Sequence, residues 1–241
     1  MKNNESRPRN GIADHTDNSD SENNDLPEEP RRNSNIPSYL QHNDWERELN
    51  FKLWVTKGAR FSADKRCKMQ AFWSQLSLNF LSGYLIMLGL LPLFLKTTTK
   101  SVSLDALSFA VTGTSIVAMV WGLMESGKQY DLQAAKFHAC AVSIGKLYSR
   151  LRRAKQLPND EKNVMLGEIS DAYDDLLERY DNHDPLDYEN FKIQKPDYFE
   201  LTPSDIRVIR MKTFICTRLI YLVIIIIPFS LLAWMFSKEF K

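Results

Sequence analysis

Residues 69–95 read MQAFWSQLSLNFLSGYLIMLGLLPLFL, a run without one charged side chain. At a rise of about 1.5 Å per residue, ~20 apolar residues cover the ~30 Å hydrocarbon core of a bilayer. Two further stretches share the property: residues 106–124, ALSFAVTGTSIVAMVWGLM, and residues 219–237, LIYLVIIIIPFSLLAWMFS. Lipid offers no water to backbone N–H and C=O groups, so a spanning segment is helical or part of a closed barrel. The continuous apolar runs here lack the alternation of barrel strands. The fold class that follows is an all-α membrane protein: a transmembrane helical hairpin with spans about 76–95 and 104–124, long cytosolic helical extensions, and a third transmembrane helix over 219–236.

Whole-chain averages hide this. A mean hydropathy of −0.34, 25% charged residues and a net charge of +1 would suit a soluble domain, because polar and apolar blocks are segregated along the 241 residues. Once the spans are set aside, one modest helical module fits and a second enzyme-sized domain does not. Cys67, Cys140 and Cys216 are odd in number and have no His or Cys companions at ligand spacing, which points to a reducing compartment and to no metal framework. Residues 1–42 are rich in Asn, Ser, Asp, Glu and Pro and hold too few aliphatics to offset their ordering entropy, so a disordered polar tail is expected. They contain no apolar h-region of a secretory signal.

Order begins at Asn43-Asp44-Trp45-Glu46, where Asn43 can cap a helix and Glu46 can complete a capping box. No proline follows until Pro92, so one helix is expected to run into the first span, with a bend near Gly58. Trp45, Leu49, Leu53 and Phe61 give it an apolar stripe. Lys57, Arg60, Lys65, Arg66 and Lys68 make its membrane-proximal part basic, which suits anionic headgroups and marks the cytoplasmic side. The short connection 96–105 permits only an antiparallel hairpin. Beyond the second span the helical pattern continues over 125–157, with Phe137, Ala141, Ile144, Tyr148 and Leu151 on one face, as a stalk ended by Pro158. A further helix over 161–180 carries Met165, Ile169, Ala172, Tyr173, Leu176 and Tyr180. Thr202-Pro203-Ser204-Asp205 is a strong start signal for the last helix, which enters the membrane past Arg207, Arg210, Lys212 and Arg218. These basic residues place the N-terminus and the central module in the cytoplasm and the C-terminus outside.

No phosphate loop, nucleophile elbow, zinc motif or paired cysteine motif is present, so no enzyme, cofactor or metal is expected. The polar turn Asp181-Asn182-His183-Asp184, with Asp187 and Glu189, offers one imidazole among carboxylates. It reads better as capping, with Asn182 left-handed at the end of the preceding helix and Asp184 capping at Pro185. In the second span Ala110, Thr114, Ala118 and Gly122 recur every four residues, a small-residue face suited to close helix approach. In the first, Gln75, Asn79, Ser82 and Gly83 form a polar stripe expected to look into a bundle, either lining a pore or joining helices.

Taken together these segments resemble the SLATT family, two-helix membrane effectors associated with SMODS nucleotide synthases and SLOG sensors. The resemblance covers 43–198 and rests on Ala59-Arg60, Ala63 and Arg66 of the approach helix, on the tight hairpin, on Phe137-His138-Ala139-Cys140 and on Tyr180, Asn182, His183, Asp187, Tyr188 and Phe191. It is closest in layout to a branch with an additional C-terminal helix, here 202–241, that accompanies reverse transcriptases. The resemblance implies an oligomeric, pore-forming or membrane-disrupting effector of a bacterial anti-phage system, in the inner membrane, answering to a nucleotide-signalling or reverse-transcriptase partner without itself binding nucleic acid. The rival reading is a membrane-anchored scaffold or sensor that recruits a partner through its cytosolic helices.

Overall fold

The computed structural model of the chain describes residues 44–95 and 104–239 and, except at 91–95, 104–107, 110 and 231–239, their side chains. The expected polar tail 1–42, the Asn43 cap and most of the 96–105 connection lie outside the described residues. Those described form α-helices and no strand: α1 (Trp45–Leu95), α2 (Leu104–Gly127), α3 (Tyr130–Ala154), α4 (Asn159–Arg179), α5 (Pro185–Lys192), α6 (Pro203–Phe214), a π-helical turn (Ile215–Leu219) and α7 (Ile220–Glu239).

α1 is the spine. Its partners appear in reverse order along the next two helices: Leu78 meets Gly122, Cys67 meets Gln133, Asp64 meets His138 and Lys57 meets Tyr148. α2 and α3 therefore run antiparallel to α1 as one interrupted helix. The interruption lies at Lys128 and Gln129, where Gln129 takes a left-handed backbone with φ 47°. The sequence reading expected an unbroken stalk here. No proline or glycine pair marks the break, and local contacts close it: Gln133 donates to the Lys128 carbonyl, and the Lys128 ammonium returns to Glu125.

The main core joins the N-terminal part of α1 to α3 and α4. Leu49 and Leu53 pack with Ile144, Leu147, Leu151, Leu166, Ile169 and Tyr173, and the Tyr173 hydroxyl meets Thr56 at 2.7 Å. Full burial of such side chains contributes about 1.5–3 kcal/mol each. A second cluster, Ala63, Cys67, Ala134 and Phe137, keeps the helices close where α3 begins.

Several local expectations change. Asp44 caps α1, its carboxylate accepting the Arg47 N–H at 3.2 Å, and Glu46 bridges to Lys155 and Lys162 instead of completing a box. Trp45 stays exposed at the helix start. Asn182 is not left-handed, since α4 ends at Arg179 and Tyr180 is already extended. Thr202 and Asp205 do form a reciprocal capping box on α6.

Gly58 lies inside α1 without breaking it. A Cβ there would lie 2.1–2.7 Å from three carbons of the Phe191 ring, so the missing side chain lets α5 dock against α1. Gly58→Ala should overpack this contact and lower stability by about 1–3 kcal/mol. The check is a thermal or urea melt of detergent-solubilised protein. Phe191→Leu in the same chain should restore part of the loss, which a propensity effect on α1 would not allow.

Candidate functional site: an apolar bundle anchored by a charged turn

The turn between α4 and α5 is built by local capping and then locked by a cation from α1. Asp184 accepts the Leu186 N–H at 2.8 Å, and Asp187 reaches back to the Asp184 N–H at 3.1 Å, with Pro185 in the first position where its missing N–H costs nothing. Asp187 is fully buried and faces Arg66 in a two-pronged pair, Nε to Oδ1 at 2.7 Å and Nη2 to Oδ2 at 2.9 Å. Burial works against the Arg66 charge, but the hydrogen bonds and charge of Asp187 outweigh it and hold the pKa above the usual guanidinium value. One turn below, Arg60 is 1% exposed and donates to the Asp181 carbonyl, its plane 5.6 Å from the Phe137 ring centroid.

Aromatic packing extends the lock. Phe191 meets Trp54 edge to face at 5.1 Å, and Trp54 stacks on Phe199 at 5.9 Å. Tyr188 lies edge-on to Phe199, and Lys192 sits 5.0 Å from the Tyr188 ring. The Thr213 hydroxyl lies 2.9 Å from Asn190 Oδ1, so the turn also holds the base of the last helix.

The basic cluster is thus divided. Arg60 and Arg66 are held inside the protein, Lys57 sits 4.7 Å from the Tyr148 ring, and Lys65 and Lys68 are exposed, Lys68 pairing with Asp64 at 2.8 Å. The signal was present in the spacing: Leu49, Leu53, Thr56, Arg60, Ala63 and Cys67 follow one another in steps of four and three, which puts Arg60 on the buried face.

Beyond this module α1, α2 and α7 form an apolar bundle. Thr114, Ala118 and Gly122 lie on the partly covered face of α2; Gly122 meets Leu78, and Thr114 lines a narrow apolar cleft with Leu81, Val223 and Ile227. The Ala110 side chain lies outside the described set. Gln75, Asn79, Ser82 and Gly83 are exposed, and the Ser82 hydroxyl donates to the Leu78 carbonyl at 2.9 Å. Gln75 borders a cavity with Leu78, Glu125 and Tyr130, whereas Asn79 and Gly83 border a groove against α7. The hydroxyls turned inward are instead Ser74 and Ser77.

The sequence reading passed over Glu125, which sits buried at the end of α2. It accepts from the Tyr221 hydroxyl at 2.9 Å and pairs with Lys128, while Tyr130 lies 3.1 Å from Tyr221. The π-helical turn just before α7 inserts one residue into the helical register and so resets the faces of the helix that follows. Among the described residues the stretch Pro203–Ser230 is long and apolar enough to cross a membrane, and only 11% of its most apolar window is buried.

A family of membrane effector domains matches this chain over residues 43–234, from the cap of α1 into α7. The chain belongs to the SMODS and SLOG-associating 2TM effector domain family 5. No curated protein and no solved structure matches it. As an effector domain of this family, the chain is a membrane protein, all-helical over its described residues, whose helices run with little interruption from the charged module into apolar segments.

The effector domain's motif turn does more than cap. Tyr180, Asn182 and His183 line a cavity of about 490 Å³ that also touches Arg66 and the α2–α3 break at Lys128 and Gln129. No group of three or more His, Cys, Asp or Glu side chains among the described residues is placed to hold a metal.

Two outcomes follow from the lock. Asp187→Ala strips Arg66 of its buried partner and α5 of its box, and should cost about 3–5 kcal/mol. Arg66→Met with Asp187→Leu should recover much of that in the same melt. His183 is half-buried, and burial together with the Arg60 charge lowers its pKa below the ordinary imidazole value. The unfolded chain therefore takes up the proton first. Stability contributed by neutral His183 is complete above about pH 6.5 and falls as pH drops through the unfolded value toward the lower folded one. Melts between pH 8 and 5 should show this decline, and His183→Gln should flatten it.

Proposed function

We propose that the chain is a multi-pass effector of the inner membrane that assembles from several copies and permeabilises the bilayer when triggered, arresting growth in a bacterial anti-phage setting. One observation carries the reading. The amides of Gln75 and Asn79, inside an uncharged apolar stretch, are exposed and have no hydrogen-bond partner among the described residues. Lipid cannot satisfy an amide, so these groups belong beside water or another copy. Three packed helices enclose no water path of their own, which makes a conducting form a property of the assembly. Family membership supports the effector role.

In this reading the C-terminal half of α1 and α2 are the two spans of the family's hairpin, and α7 is a third span that leaves the C-terminus outside. The tail and α3 to α5 face the cytoplasm, where a nucleotide synthase or a reverse transcriptase supplies the trigger. The charged turn transmits it, because α1 passes through both the turn and the bundle.

The test is a membrane-potential dye in cells expressing the triggered chain. Wild type should depolarise the membrane, and Asn79→Leu, present at equal level, should reduce the signal severalfold. An intact potential, with the cytosolic helices still recruiting a defined partner, would replace this reading with that of an anchored scaffold.

A further inference from the structure

α1 carries the same period on two opposite faces. The inward face runs through Arg60, Cys67, Ser74, Ser77 and Leu88, all buried against α2, α3 and the last helix. The outward face repeats those steps: Phe72, Leu76, Asn79, Gly83, Ile86 and Leu90 follow at alternating intervals of four and three. Phe72 is 59% exposed, Ile86 65% and Leu90 46%; Asn79 and Gly83 are open, and nothing lies within 4 Å of the Cβ position of Gly83.

A surface that meets only lipid has no use for a primary amide in its midst, because lipid satisfies neither its donor nor its acceptor. A surface that meets a second helix does. Asn79 sits within this seam and finds no hydrogen bond among the described residues. A primary amide offers both donor and acceptor, so another Asn79 is a complete partner for it. Copies inserted in a membrane share one orientation, so their α1 helices are parallel and identical residues meet at the same depth. Gly83, one turn along, admits the close approach on which membrane helix packing depends. Asn79 and Gly83 also form one wall of an open apolar groove of about 490 Å³ whose other wall is Ile225, Pro228 and Phe229 of α7, leaving room for an incoming helix.

We propose that this seam joins α1 to α1 of a second copy of the chain, with Asn79 against Asn79 fixing the register. The inference rests on the membrane placement argued above, but not on permeation.

Disulfide trapping of the full chain in native membranes tests it. The exposed Cys216 is replaced by Ser, while Cys67 and Cys140 are buried. Phe72→Cys and Ile86→Cys should then oxidise to covalent dimers at least tenfold above Leu123→Cys on α2 and Ile226→Cys on α7, which are comparably exposed but off the seam. At equal membrane-inserted protein, Asn79→Gln should keep the Ile86→Cys dimer, whereas Asn79→Asp, setting like charges face to face, should lower it at least fivefold. Gly83→Leu should do the same by bulk alone. Equal trapping at seam and control positions would overturn the proposal, as would capture of only a different protein at the seam. Trapped seam dimers in a chain that never depolarises membranes would leave the seam standing and remove the pore reading. Depolarisation without seam trapping would remove the seam alone.

Discussion

Arg66 and Asp187 meet where water is nearly excluded, and most of the chain's tertiary order passes through that pair. A buried carboxylate is tolerated only when its charge and lone pairs are answered, and Asp187 is answered twice, by the guanidinium of α1 and by the first backbone N–H of its own turn. The pair fixes α5 against α1, which seats Phe191 over Gly58 and brings Asn190 to Thr213 at the base of the last helix. A local cap, a core contact and the hold on the last helix converge on one ion pair.

α1 distributes that constraint along its 51 residues. Its first half belongs to a charged module with a conventional core, and its second half belongs to an apolar bundle. No break in α1 separates them, so a displacement of the module is carried into the bundle by a continuous hydrogen-bonded rod. The opposite strand of the architecture is broken, at Gln129, and the break is bracketed by Glu125, Lys128, Tyr130 and Tyr221. A rigid helix paired with an interrupted one is an arrangement in which signal and response can be physically joined, and it suits an effector that rests until triggered.

The bundle's outer surface is where this architecture stays incomplete in a single chain. Its small residues are spent on internal packing, whereas its amides face out. Among the described residues Gln75 and Asn79 have nothing to bond with, and that incompleteness is what assembly would repair.

Residue order alone determined the all-helical class, because runs of about 20 uncharged residues admit no other spanning structure in these segments. It determined the Thr202 and Asp184 caps, since capping is settled within four residues, and the apolar faces of α3 and α4, since they follow from period alone. It did not reveal that Arg66 turns inward, because a basic residue beside a span reads the same whether it meets a headgroup or a carboxylate 121 positions away. The burial of Glu125 against Tyr221 and the placing of Asn79 beside α7 were likewise decided only by tertiary structure. Each depends on which helix occupies which side of α1, and long-range packing sets that choice where local spacing is silent.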